Sequence, residues 1–179
     1  MGELSELSKN YGTDKNTLHC YIDEVYEKVF PSRKNSAKKV LEIGVYNGES
    51  IRLWRDYFIN AEIYGLDISE CSAIKNSDRI THVVNDAYDK SVIDSLPNDF
   101  DIVIDDGPHS LESMKIFLKE YSSKINPNGV LILEDIQHYS WLDELREEAP
   151  EHLKNKIQFY DLRKIKDRYD DLVMVIDLR

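Results

Sequence analysis

The sequence predicts an α/β fold: a doubly wound, seven-stranded, mostly parallel sheet with a C-terminal antiparallel hairpin. Three observations predict it. Short β-branched apolar runs alternate with helical patterns from residue 39 onward, as strand-helix-strand units require. Phe100-Asp-Ile-Val-Ile-Asp105 and Val130-Leu-Ile-Leu133 are apolar runs that stop abruptly in carboxylates, the pattern of strands buried on both faces whose ends open into a crevice. The last two runs, Lys156–Leu162 and Leu172–Ile176, are joined by about nine polar residues, too few for a crossover helix, so they pair antiparallel.

In chain order, a polar start and Tyr11-Gly-Thr-Asp-Lys15 precede a helix over Thr17–Phe30, with Leu18, Tyr21, Ile22, Val25 and Val29 on one face. Pro31 and a Ser/Lys/Asn-rich connector end it. Val40–Ile43 is the first strand, Gly48–Phe58 a helix and Ala61–Asp67 the second strand. A polar loop through Asn76 leads to a third strand, Ile80–Val84, and a short helix near Ser91–Leu96. Between the fourth and fifth strands, Ser110 caps a helix reaching Lys124 whose Leu111, Met114, Phe117, Leu118 and Tyr121 recur at three- and four-residue spacing. Trp141–Glu148 is a helix stopped by Pro150. A strand, a crossover helix and a second strand form a right-handed unit, so the tips carrying Asp105, Asp106, His109, Glu134 and Asp135 should converge. The plan is Rossmann-like.

At 179 residues, 41% of them hydrophobic, the chain is one domain's worth and can bury a core. Its 34 Asp+Glu against 23 Lys+Arg leave a net charge of -11; nucleic acid and anionic membranes, which need a basic footprint, are not expected partners. Cys20 and Cys71 stand far apart with no metal-ligand or redox spacing. The first ten residues lack a signal peptide's basic start and apolar core, and no apolar run approaches the ~20 residues that span a bilayer. A cytoplasmic protein is expected.

The chemistry gathers at strand ends. In Leu41-Glu-Ile-Gly-Val-Tyr-Asn-Gly-Glu-Ser50, Gly44 and Gly48 straddle the end of the first strand and let the backbone approach a ligand. The run lacks the GxGxxG that a dinucleotide pyrophosphate requires, which disfavours an NAD-dependent oxidoreductase. Glu42, just before the turn, suits a cationic ligand better than a phosphate. Asp67 ends the second strand nineteen residues after Gly48, where such folds place an acceptor for ribose hydroxyls, and Asn85 and Asp86 end the third, within reach of an adenine amino group. A strand-end Asp is usually only solvated or capping, but acids at five successive tips without a basic cradle point to a positively charged nucleoside, S-adenosylmethionine. Asp106, Glu134 and Asp135 supply hard oxygens suited to Mg²⁺. His109, beside them in a Gly-Pro loop, has the place of a general base. His138 and Tyr139 are weaker candidates for lining the acceptor side, whereas His19, His82 and His152 have no such company and read as structural.

These residues resemble the class I S-adenosylmethionine-dependent methyltransferases, through Glu42-x-Gly44-x-x-x-Gly48, Asp67 and Asp86. More narrowly, Tyr11-Gly-Thr-Asp-Lys15, Ile104-Asp-Asp-Gly-x-His109 and Leu133-Glu-Asp135 are similar to the Mg²⁺-dependent sugar O-methyltransferases of macrolide pathways, the mycinamicin and macrocin group, and more distantly to cephalosporin hydroxylase-like proteins. The resemblance implies that Asp106, Glu134 and Asp135 carry the metal, that His109 is the base, and that Thr13 and Lys15 reach the cofactor's methionyl carboxylate. Ser50, Asp105 and Asp106 join the expected cofactor set. Residues 1–36 would be a helical segment covering the cofactor site and 37–179 the methyltransferase domain. The implied acceptor is a small-molecule sugar or nucleotide-sugar hydroxyl, as in polysaccharide synthesis, and a homo-oligomer is compatible. The alternative is a non-catalytic cofactor-binding module of a polysaccharide assembly. The sequence departs from the family in two places: about 36 residues precede the first strand where the antibiotic enzymes carry an auxiliary domain, and Pro108 stands where Ser is usual.

Overall fold

Five parallel strands, β1 (Lys39–Ile43), β2 (Glu62–Asp67), β3 (Ile80–Val84), β4 (Phe100–Asp105) and β5 (Ile125–Leu133), are followed by β6 (Ile157–Asp161) and β7 (Leu172–Asp177). In the computed structural model, which describes residues 2–75 and 77–179, they form one sheet in the order β3-β2-β1-β4-β5-β7-β6. Asn76, in the loop expected before the third strand, lies outside the described residues. The strand β7 enters between β5 and β6, antiparallel to both. The order reverses between β1 and β4, which are parallel neighbours; their carboxyl ends define the crevice where open α/β sheets take their ligands.

The helices are α1 (Glu3–Ser8), α2 (Asp14–Thr17), α3 (Glu27–Val29), α4 (Glu49–Tyr57), α5 (Lys90–Ser95), α6 (Leu111–Ile116), α7 (Trp141–Glu148) and α8 (Arg163–Lys166). Two wide π-helical stretches, Ile22–Tyr26 before α3 and Phe117–Tyr121 after α6, interrupt what the periodicity predicts as regular helices. The first expected helix is in fact split, since α2 ends at Thr17 and helix resumes only at Tyr21. Among the described residues no helix is long and apolar enough to cross a membrane.

Each sheet face has its own core. Val40, Ile63, Ile102, Ile104, Val130 and Ile132 meet Tyr21, Ile22, Val25, Tyr26 and Phe30 of the N-terminal segment and Trp54 and Phe58 from α4 and its end. Leu41, Ile43, Val103, Leu131 and Leu133 meet the opposite layer, which includes Met114, Phe117, Leu142 and Leu145. The N-terminal segment therefore shares the main core. Alternation along each strand decides which acids it meets. Register places Glu42 beside Ile104 and Ile104 beside Ile132, so Asp106 and Glu134, two residues further on, follow the row facing the N-terminal segment. Asp105 follows Val103 onto the other face.

Candidate active site

A cleft of about 1100 Å³ opens at the carboxyl ends of β1 to β4. Thr13, Gly44, Ser50, Asp67, Asn85 and Asp86 line it, as do Asp106 and His109. Gly44 has φ +88°, and a Cβ there would lie 2.0 Å from the Asp106 carbonyl oxygen; only glycine lets the β1 turn pass this close to the β4 tip. Asp67 accepts the Val45 and Tyr46 amides on Oδ2, at 2.8 and 3.2 Å, and the Ser69 amide on Oδ1 at 2.9 Å. Burial alone would raise its pKa, but these three donors outweigh that and hold the carboxyl below its ordinary range. Asp67 thus presents a fixed carboxylate to the cleft. Asp86 accepts the Tyr88 amide at 2.9 Å, which folds the loop after β3 against the cleft wall.

Four residues expected at the cofactor lie outside the cleft's lining. Lys15 is buried, with its ammonium ringed by Asp106 at 2.6 Å, Glu42 at 3.2 Å and Glu134. Burial works against its charge, yet Asp106, Glu134 and Glu42 prevail and hold it well above the usual lysine range. Committed to three carboxylates, it does not line the cleft. Glu42 is buried behind the glycine turn and accepts Ser50 Oγ at 2.7 Å and Trp54 Nε1 at 2.9 Å; burial, only partly offset by Lys15, pushes it up to about 7. Its cationic neighbour is a lysine of the same chain. Asp105 faces the opposite layer, where it accepts Tyr88 OH at 2.6 Å and is raised by burial to about 7. Gly48 caps the start of α4 at φ +78°, where a Cβ would lie 2.7 Å from Ile74 Cγ2 and 3.2 Å from Cys71 Sγ, a packing position.

The acids at the β4 and β5 tips converge as adjacency of the two strands requires. Donor atoms of Asp106, His109 and Asp135 lie within 4.8 Å of one another. His109 Nε2 is 3.8 Å from Asp106 Oδ1 and 3.7 Å from Asp135 Oδ2. Asp106 divides its oxygens, Oδ2 to Lys15 and Oδ1 toward His109. Glu134 adjoins this group through Lys15, and its second oxygen accepts the Tyr26 hydroxyl; burial raises it to about 7. His109 and Asp135 both sit in the left-handed region, φ 55° and 53°, a backbone cost of about 1–3 kcal/mol each that tends to be retained at functional sites.

Sequence reasoning misses one layer of the site. His19 binds Asp171 and Tyr21 binds Asp135, both at 2.6 Å, while Tyr26 binds Glu134. These partners are more than a hundred residues apart in sequence, and no local pattern announces them. His138 instead packs edge-on against Trp141, and Tyr139 is largely exposed beneath the Arg163 guanidinium.

Comparison with known proteins agrees with this fold. A family described as "Methyltransferase domain" matches residues 41–136. Demethylmacrocin O-methyltransferase of Streptomyces fradiae is 34% identical over 150 residues, covering 78% of this chain and 38% of that protein. Mycinamicin VI 2''-O-methyltransferase of Micromonospora griseorubida is 32% identical over 149 residues, covering 78% and 37%. The chain spans well under half the length of these curated relatives. Among solved structures, the MycE methyltransferase of the mycinamycin pathway, in complex with Mg, SAH and mycinamycin VI, superposes with a TM-score of 0.78 at 27% identity, over 99% of this chain and 55% of that one. With the sheet order, the glycine turn and the clustered strand-tip acids already in place, these matches make the chain a member of the methyltransferase-domain family.

Proposed function

We propose that the protein is an S-adenosylmethionine-dependent, Mg²⁺-assisted O-methyltransferase acting on a hydroxyl of a sugar, nucleotide sugar or glycosylated small molecule in the cytoplasm. The observation that carries this reading is the adjacency of two features: a cleft edged by strand-tip carboxylates and the Asp106, His109 and Asp135 group, which shares Asp106 and His109 with the cleft's lining. Asp67 would accept ribose hydroxyls, and Asn85 and Asp86 would meet the adenine. The cleft at Gly44 would take the methionyl portion, with Thr13 also in its lining.

The residues present fit a hard divalent cation. Their donors are carboxylate oxygens, and Asp106 and Glu134 already share a cationic group, the Lys15 ammonium. Asp106 and Asp135 would hold Mg²⁺, and Glu134 would join them by releasing part of its hold on Lys15. When bound, the ion lowers the pKa of a coordinated hydroxyl and fixes its orientation. His109 Nε2 takes the hydroxyl proton as the oxygen bonds to the methyl carbon. The carbon-sulfur bond breaks with its electron pair returning to sulfur, so the sulfonium becomes a neutral thioether. General base catalysis of this kind contributes about 10²–10⁴-fold.

The test is transfer of labelled methyl from S-adenosylmethionine to a panel of nucleotide sugars and free glycosides, with Mg²⁺ and with chelator. Transfer that requires Mg²⁺ is expected. Cofactor binding with no transfer to any acceptor would instead favour a binding module.

A further inference from the structure

The proposed chemistry needs the Asp135 carboxylate held in one orientation, and the structure provides a device for this outside the cleft. Asp135 Oδ2 looks toward His109, while Oδ1 accepts the Tyr21 hydroxyl at 2.6 Å. The same hydroxyl oxygen is 3.2 Å from Asp171 Oδ1, which His19 Nδ1 meets at 2.6 Å. The rings of His19 and Tyr21 stack with centroids 4.6 Å apart. Asp171 is fully buried, and Arg168 Nε lies 3.7 Å from its Oδ1 as counter-charge. The Leu172 carbonyl accepts the Ile136 amide at 3.0 Å, so the segment bearing Asp171 is fastened to the one bearing Asp135.

We infer that Tyr21, seated by the His19–Asp171 pair, is a positioning residue that locks Asp135 Oδ1 and thereby aims Oδ2 at the cation seat and His109. The inference rests on the proposed function. His19, Asp135 and Asp171 also bring donor atoms together as a second metal-capable group. Their direct hydrogen bonds already occupy His19 Nδ1, Asp135 Oδ1 and Asp171 Oδ1, leaving the buried Asp171 Oδ2 without a partner, so the cluster serves as a scaffold. A carboxylate pinned on one oxygen keeps its plane fixed. Released, it can turn about its Cβ–Cγ bond.

The test uses Tyr21→Phe, which keeps the ring and its stacking on His19 and removes only the hydroxyl. Mn²⁺ binding by electron paramagnetic resonance is the readout independent of turnover, alongside calorimetric affinity for S-adenosylhomocysteine and kcat with a responsive acceptor. Outer partners of ligating groups typically contribute 10–100-fold. Mn²⁺ affinity and kcat should each fall by about 10-fold or more, with S-adenosylhomocysteine affinity and the KM for S-adenosylmethionine unchanged. Asp171→Asn should move the same readouts in the same direction. Mn²⁺ affinity and kcat unchanged in both variants, or a loss confined to thermal stability, overturns the positioning role. Failure of the unaltered protein to bind Mn²⁺ strikes at the proposed function itself and removes the relay's purpose with it.

Discussion

Replacing Lys15 with Met separates the role seen in the structure from the one the resemblance implies. The substitution preserves most of the side chain's volume but strips Glu42, Asp106 and Glu134 of their shared cation. Removing one partner of a buried ion pair costs about 3–5 kcal/mol, because the remaining charge is left uncompensated. For a chain of this size that lowers Tm by roughly 10 °C. The loss should also depend on pH. Glu42 titrates near 7 in the folded protein against 4.5 as its ordinary value. The folded state therefore holds that proton more tightly, and the group costs stability progressively as pH rises from about 4.5 to 7. Lys15 limits that cost, so the variant's deficit should be largest at pH 8 and shrink toward pH 5. Thermal melts across this range, with calorimetric titration of S-adenosylhomocysteine at 10 °C, provide the assay. An unaltered Tm combined with a large loss of S-adenosylhomocysteine affinity would refute this reasoning and return Lys15 to the cofactor's carboxylate.

His109→Ala should keep S-adenosylhomocysteine affinity while losing about 10²-fold or more in kcat; single-turnover methyl transfer checks it. Glu42→Gln should gain stability over wild type as pH rises from 5 to 8, on the order of 3 kcal/mol, because the variant has no proton to lose there; paired melts at the two pH values measure it. Gly44→Ala should be strained by its φ of +88° and by contact with the Asp106 carbonyl, destabilising the protein and weakening cofactor binding together, as urea titration and calorimetry would show.

Much of the scaffold is legible locally. The bounds of β3 and α7 follow directly from Ile80–Val84 and from Trp141–Glu148 before Pro150. By contrast, β5 starts at Ile125, because Asn126, Pro127 and Asn128 extend the strand at its exposed beginning, where apolarity is not required. The π-helical stretches are invisible to a three-to-four-residue period, since the wider turn still buries Phe117, Leu118 and Tyr121. At the site, the acids at strand tips and His109 are legible because their chemistry is local to each strand end. The opposite orientations of Asp105 and Asp106 could have been read from strand alternation alone. What Lys15, His19, Tyr21 and Tyr26 do depends on how the N-terminal segment lies across the sheet, and that is set by long-range burial of Tyr21, Ile22, Val25 and Phe30.

The central claim is that the β4 and β5 tips form a cation seat at the end of the cofactor cleft. The most direct measurement is the anomalous-scattering map of crystals grown with Mn²⁺ and S-adenosylhomocysteine. The account predicts one strong peak bonded to Asp106 and Asp135, with His109 alongside and the cofactor's sulfur facing it from the cleft. A peak elsewhere, or none at saturating Mn²⁺ with the cleft filled, would contradict it.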